Sequence, residues 1–116
     1  EKGKPAGVID KATGNYISLA TFSQQADAWL GDIPAEVLPW KTLVKSADRN
    51  SLLKPAFKAM QASHTKGCDL AVTYAENSRK TALKLISDGV AANENDVNTV
   101  LLTGFFHAYG PINDYL

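Results

Sequence analysis

Two histidines, one cysteine and a scatter of carboxylates are the groups in this 116-residue chain that could do chemistry. His64 or His107, brought beside Asp69 or Glu76, would make an acid–base pair. His64 falls at the expected end of a helix, where a charged imidazole interacts favourably with the last carbonyls. His107 lies within Phe105-Phe106-His107-Ala108-Tyr109 and is the more informative of the two. Cys68 is four residues from His64, but Gly67 reads as a helix stop between them, which separates a nucleophile from its base. Asp27 with Asp32, and Glu94 with Asp96, are acidic pairs. Glycoside hydrolysis needs such a pair facing across a cleft, and their setting predicts solvated loop charges. Gly3 to Gly7 and Gly104 to Gly110 lack the spacing of a phosphate loop. There is no GxSxG, no HExxH and no calcium loop. A single cysteine excludes an intrachain disulfide and a cysteine-built metal site. The expectation is no cofactor, no metal and no assigned catalytic residue.

Aromatic residues carry the better signal. Trp29 and Trp40 bracket a segment punctuated by Pro34 and Pro39, and Phe105, Phe106, Tyr109 and Tyr115 crowd the C-terminal end. Proline-braced loops and aromatic rings make contact surfaces at low entropic cost. Trp29 fits the apolar side of a helix and reads as core. Trp40, Phe106, His107 and Tyr109 are the expected binding residues. Lys41, Lys45, Arg49, Lys54 and Lys58 cluster in sequence, but Asp48 interrupts them and the formal net charge is zero. They read as a solvated face, and nothing in the balance of charge favours nucleic acid or an anionic membrane.

The elements that must hold these groups in place follow from periodicity. Leu53, Ala56, Phe57 and Met60 recur at helical spacing, which predicts one main helix near residues 51–66, capped by Asn50 or Ser51 or entered at Pro55. Cys68, Leu70, Val72 and Tyr74 then alternate with polar or small neighbours. This predicts a strand at 68–76, a turn at Glu76-Asn77-Ser78-Arg79 and a partner strand at 80–86. Upstream, a hairpin of 6–10 against 15–22 turns at Gly14, and a short helix capped by Thr21 or Ser23 runs to Leu30. Residues 40–44 read as a short strand and Val90 to Asp96 as a loop. Residues 97–106 fit either a helical face or a buried strand, the strand being preferred for its β-branched and aromatic content. The fold class expected is therefore α+β: a small antiparallel sheet, compatible with an OB-like barrel, packed with one main helix, in a single domain covering 1–116.

The stretch Leu53-Lys54-Pro55-Ala56-Phe57, through Gly67 into Leu70-Ala71-Val72-Thr73-Tyr74, resembles the helix-then-strand unit in the B subunits of pertussis-like AB5 toxins. The resemblance implies a ring pentamer of OB-like subunits that binds cell-surface sugars. It is confined to this stretch, carries no specific motif, and lacks the paired cysteines common in that family.

An apolar fraction of 45% and a charged fraction of 21% describe an ordinary globular chain. No stretch has the apolar length to span a bilayer. A start at Glu1 without a signal peptide reads as a mature exported chain or a piece of a longer one. The asparagines at 15, 50, 77, 93, 95, 98 and 113 lean toward an exported, periplasmic, surface or secreted domain, and a cytoplasmic protein fits as well. The function expected is a non-enzymatic binding domain for a protein or glycan surface, with homo-oligomerisation open and neither nucleic acid nor membrane insertion expected. The alternatives are a small hydrolase using His107 and a carboxylate, an OB-like nucleic-acid-binding domain, and the sugar-binding toxin subunit.

Overall fold

The computed structural model describes Gly3 and residues 5–116. A two-stranded antiparallel hairpin opens the fold, β1 (Gly7–Ile9) on β2 (Tyr16–Ser18), with Val8 opposite Ile17. Its turn is held by Asp10, whose carboxylate accepts the Ala12 N–H and the Thr13 hydroxyl, each at 2.9 Å. Those bonds hold the Asp10 carboxyl below its ordinary value, with burial a small opposing effect. Five α-helices follow: α1 (Leu19–Leu30), α2 (Trp40–Lys45), α3 (Arg49–Ser63), α4 (Lys66–Ser87) and α5 (Glu94–Thr99). The last runs on into a π-helical turn, Val100–Gly104.

The expected α+β sheet or barrel is overturned: the molecule is a mostly helical bundle with one small hairpin. The main correction is at 68–76 and 80–86, which form no strands and lie within the single 22-residue helix α4. Its buried residues are Cys68, Ala75 and Ala82, seven apart, with Ala71, Val72, Ser78 and Arg79 half-buried between them. That is a helical stripe made of small side chains. The expected turn at 76–79 is helix interior. Gly67 is not a stop but sits in the first turn of α4, whose cap is Thr65, accepting the Cys68 N–H at 3.4 Å. The stop is His64, which takes the left-handed conformation at φ 53° as the cap of α3.

The helix expected near 51–66 is present as α3, two residues earlier. Asp48, rather than Asn50 or Ser51, caps it, its carboxylate accepting the Ser51 N–H at 3.2 Å. Pro55 is therefore inside the helix. The hairpin is where expected but shorter, because residues 19–22 turn into α1, capped by Ser18 accepting the Thr21 N–H at 3.2 Å. Residues 40–44 are helix rather than strand, entered at Pro39, which needs no N–H there. Residues 97–106 are likewise not a strand. Asn93 caps α5 by accepting the Asp96 N–H at 3.0 Å, and the helical register of Val97, Val100 and Leu101 prevails over β propensity.

The core is small. Leu43, Leu53, Phe57 and Ala75 are its buried centre, where α2, α3 and α4 meet, and Leu38, Met60, Tyr109 and Tyr115 pack around them. Phe57, 2% exposed, has Tyr109 edge-on at 5.0 Å and Tyr115 stacked at 5.4 Å. The C-terminal tail thus docks into the core. At the opposite end of α4 the hairpin and α1 form an arm. Leu30 closes on Gly67, where a Cβ would stand 3.3 Å from the Leu30 carbonyl oxygen, so the missing side chain sets the approach. No residue of α1 is fully buried. The radius of gyration is 17.2 Å, against roughly 13 Å for a compact chain of this length.

Candidate functional site

The segment after α5 is built to hold side chains outward. Its π-helical turn is closed by the Thr103 hydroxyl donating to the Thr99 carbonyl at 2.6 Å. The backbone then reverses: His107 N–H donates to the Leu101 carbonyl at 3.0 Å, and Phe106 adopts φ 54°. A left-handed phenylalanine is disfavoured by its own Cβ, so neighbours must over-determine it. Trp40 Nε1–H donates to the Phe106 carbonyl at 2.8 Å. The Arg49 guanidinium spans the same region, donating to the Val44 carbonyl at 2.9 Å and to the His107 carbonyl at 3.5 Å.

Further along, Asn98 forms a reciprocal pair with Ile112, donating to its carbonyl at 2.8 Å and accepting its N–H at 3.1 Å. Gly110 crosses directly over Asn98, and a Cβ there would collide with the Asn98 side chain. Asn113 closes the last turn by bonding the Gly110 carbonyl at 2.8 Å. Tyr115 donates its hydroxyl to Asn50, and Lys54 pairs with Asp114 at 2.6 Å. The Lys54 bond holds the exposed Asp114 carboxyl below its ordinary value, and Lys54 is raised in return by the same bond and by the Asp114 charge.

The result is two neighbouring features. One is an aromatic tip: Trp40 at 52% exposure and Phe105 and Phe106 at 67% each, presented on a backbone tied down at its carbonyls. The other is a cleft of about 510 Å³ between α4 and the C-terminal segment, walled by Tyr74, Thr81 and Leu85 on one side and Leu101, His107 and Tyr109 on the other. Its volume suits a ligand site, and no carboxylate, lysine or arginine lines it among the described residues. Burial raises the Tyr109 hydroxyl above its ordinary value, and Tyr74 adds to the shift. The imidazole of His107 lies 6.5 Å from the Phe105 ring.

Of the four expected binding residues, the structure joins Trp40 to Phe106 at the tip and sets His107 and Tyr109 together in the cleft. His107 finds no acidic partner in that cleft. Trp29, expected in the core, is 63% exposed, with the Lys66 ammonium 5.8 Å from its ring centre. Cys68 is buried as expected, on a helix rather than a strand. Asp27 and Asp32 border a smaller, mainly apolar cleft beside α1, while Glu94 and Asp96 occupy the first turn of α5. Arg49, expected only as solvated charge, is half-buried and structural, and Asn98 gave no sequence signal at all. Among the described residues no three His, Cys, Asp or Glu side chains gather to hold a metal ion, and no helix is long and apolar enough to cross a membrane.

No protein-family model, no curated protein and no solved structure matches this chain.

Proposed function

We propose that this chain is a non-enzymatic interaction domain that recognises a protein surface, with Trp40, Phe105 and Phe106 as the contact. The observation that carries this reading is the strained Phe106 backbone, tied through its carbonyl to Trp40, which holds large rings in water instead of in the core. Exposed aromatics with fixed geometry lose little entropy on docking and are the residues that dominate interface energies. A sugar would need several hydrogen-bonding groups around the rings. Here the Phe106 and His107 carbonyls are already engaged by Trp40 and Arg49, so an apolar protein anchor is favoured over a glycan.

The test is selection of peptides from a random displayed library on the immobilised chain. Selected peptides should carry aromatic or aliphatic anchors. Their affinity should fall at least about tenfold on the Phe105→Ser, Phe106→Ser double variant and hold on Lys80→Ala. Serine is no worse than phenylalanine in the left-handed position, so circular dichroism should stay unchanged. Peptides that bind the double variant equally well would remove the tip from the reading, and enrichment on a glycan array instead would replace the protein with a sugar.

A further inference from the structure

The cleft beside His107 does not end there. Leu85, Val97 and Leu101 also wall a second cleft of about 360 Å³, which continues to Val90 and Val100. Together they form one apolar groove along the C-terminal half of α4, from Tyr74 to Leu85, about 16 Å at the helical rise, and on to the turn that carries Val90. At the other end of α4, helix α1 leaves one flank open. Leu19, Ala26 and Leu30 are half-buried, while Phe22 and Trp29, two turns apart on one flank, are exposed. Spacing of i, i+4 and i+7 (Phe22, Ala26, Trp29) is how a helix seats in a groove. Both surfaces carry few charges: Asp27 is the one ionisable side chain of α1, the Lys66 ammonium lies 5.8 Å from the Trp29 ring centre, and Asp96 is the one carboxylate along the groove.

We infer that the groove of one copy receives the open flank of α1 from a second copy, head to tail. The exposed area supports this occupant. The chain exposes 8365 Å², whereas a compact chain of 12.5 kDa exposes roughly 6,200 Å². The excess, roughly 2,200 Å², is enough for two interface patches of about 800 Å² each. Each copy in a head-to-tail contact uses two patches, one giving and one receiving. A formal charge of zero leaves no net repulsion between copies. The contact is separate from the aromatic tip and does not depend on it. Because donor and acceptor surfaces differ, it closes into a ring or a reciprocal pair, or extends as a filament.

Light scattering after size exclusion, over a hundredfold range of concentration, tests this with two variants. Thr81→Trp fills the groove from an exposed helix position, and Trp29→Ser removes the anchor. The native chain should exceed the 12.5 kDa monomer mass. Each variant should raise its half-dissociation concentration at least tenfold with an unchanged circular dichroism spectrum. An equal mixture should then form a dimer, since one variant keeps its flank and the other its groove. The Phe105→Ser, Phe106→Ser variant should associate as the native chain does. A monomer at every concentration, association unmoved by both variants, or variants that fail to recombine would each overturn the proposal.

Discussion

Three aromatic side chains meet at the core, one buried and two partly buried around it, so single atoms there matter. Phe57 touches both Tyr109 and Tyr115, and among the described residues no other side chain of its size is buried. Phe57→Ala should cost about 3–5 kcal/mol by chemical denaturation, enough to leave a chain with this little core largely unfolded. A loss under about 1 kcal/mol would mean that the tail does not depend on the core. Tyr109 also sets an alkaline limit. Its hydroxyl is raised in the fold, first by burial and then by Tyr74, so the unfolded chain loses that proton first. The stabilising contribution is therefore complete below the ordinary tyrosine value of 10.0 and is lost as pH rises above it. Stability measured from pH 9 to 11.5 should fall, and Tyr109→Phe should flatten the fall. Phe106 behaves oppositely to Phe57. Its ring is exposed and its φ is positive, so Phe106→Gly should stabilise the fold by roughly 0.5–1 kcal/mol while weakening the proposed contact. A residue that lowers stability and raises binding is what a functional position looks like; a Phe106→Gly variant that is less stable would mean that the ring packs usefully at home.

The elements differ in how plainly their sequences announce them. Helix α3 is legible because its inward face is Leu53, Phe57 and Met60, large side chains at helical spacing. Helix α4 is not, because its buried stripe is Cys68, Ala75 and Ala82, and small residues score weakly as core. Its large apolar residues, Leu70, Tyr74, Leu83 and Leu85, face partly outward, and their spacing of two in 70–74 and 83–85 imitates a strand. Two of them, Tyr74 and Leu85, line the groove, so part of what misleads the reading of secondary structure is surface proposed for a partner. At the tip, Trp40 beside Pro39 and the run of rings at 105–109 are legible as contact residues, but their meeting is not. Trp40 and Phe106 are 66 residues apart and joined through a backbone carbonyl, a bond that side-chain types cannot signal. Pro55 is the mark of local conflict in α3. It removes an N–H from the helix interior on an exposed face. Pro55→Ala should raise stability by about 1–3 kcal/mol, read as a higher denaturation midpoint with unchanged slope. No gain would mean that α3 accommodates the missing N–H without cost.

At the scale of the molecule the deficit is one of burial. An unfolded chain of this mass exposes roughly 18,000 Å², so folding to 8365 Å² hides little more than half of it. That is less than a domain of half the length usually achieves, about 60%, and among the described residues only Leu43, Leu53, Phe57 and Ala75 of the eight buried apolar side chains join in the central cluster. The conformational entropy cost grows with every ordered residue, so a core this small leaves little margin of stability for the chain alone. The proposed association would add to the buried surface, and it would leave a thermodynamic signature independent of any mass measurement. If copies bind only when folded, mass action stabilises the fold with concentration, by up to about 1.4 kcal/mol per tenfold for a dimer. Thermal unfolding from micromolar to hundred-micromolar chain should therefore show a rising midpoint. Thr81→Trp should leave a midpoint that no longer depends on concentration, lying near the native value at the lowest concentration. The slope of stability against denaturant should be that of a smaller protein in the dissociated chain and should grow when copies associate. A concentration-independent midpoint in the native chain would locate the stabilising surface elsewhere, with the aromatic tip and its partner the next place to look.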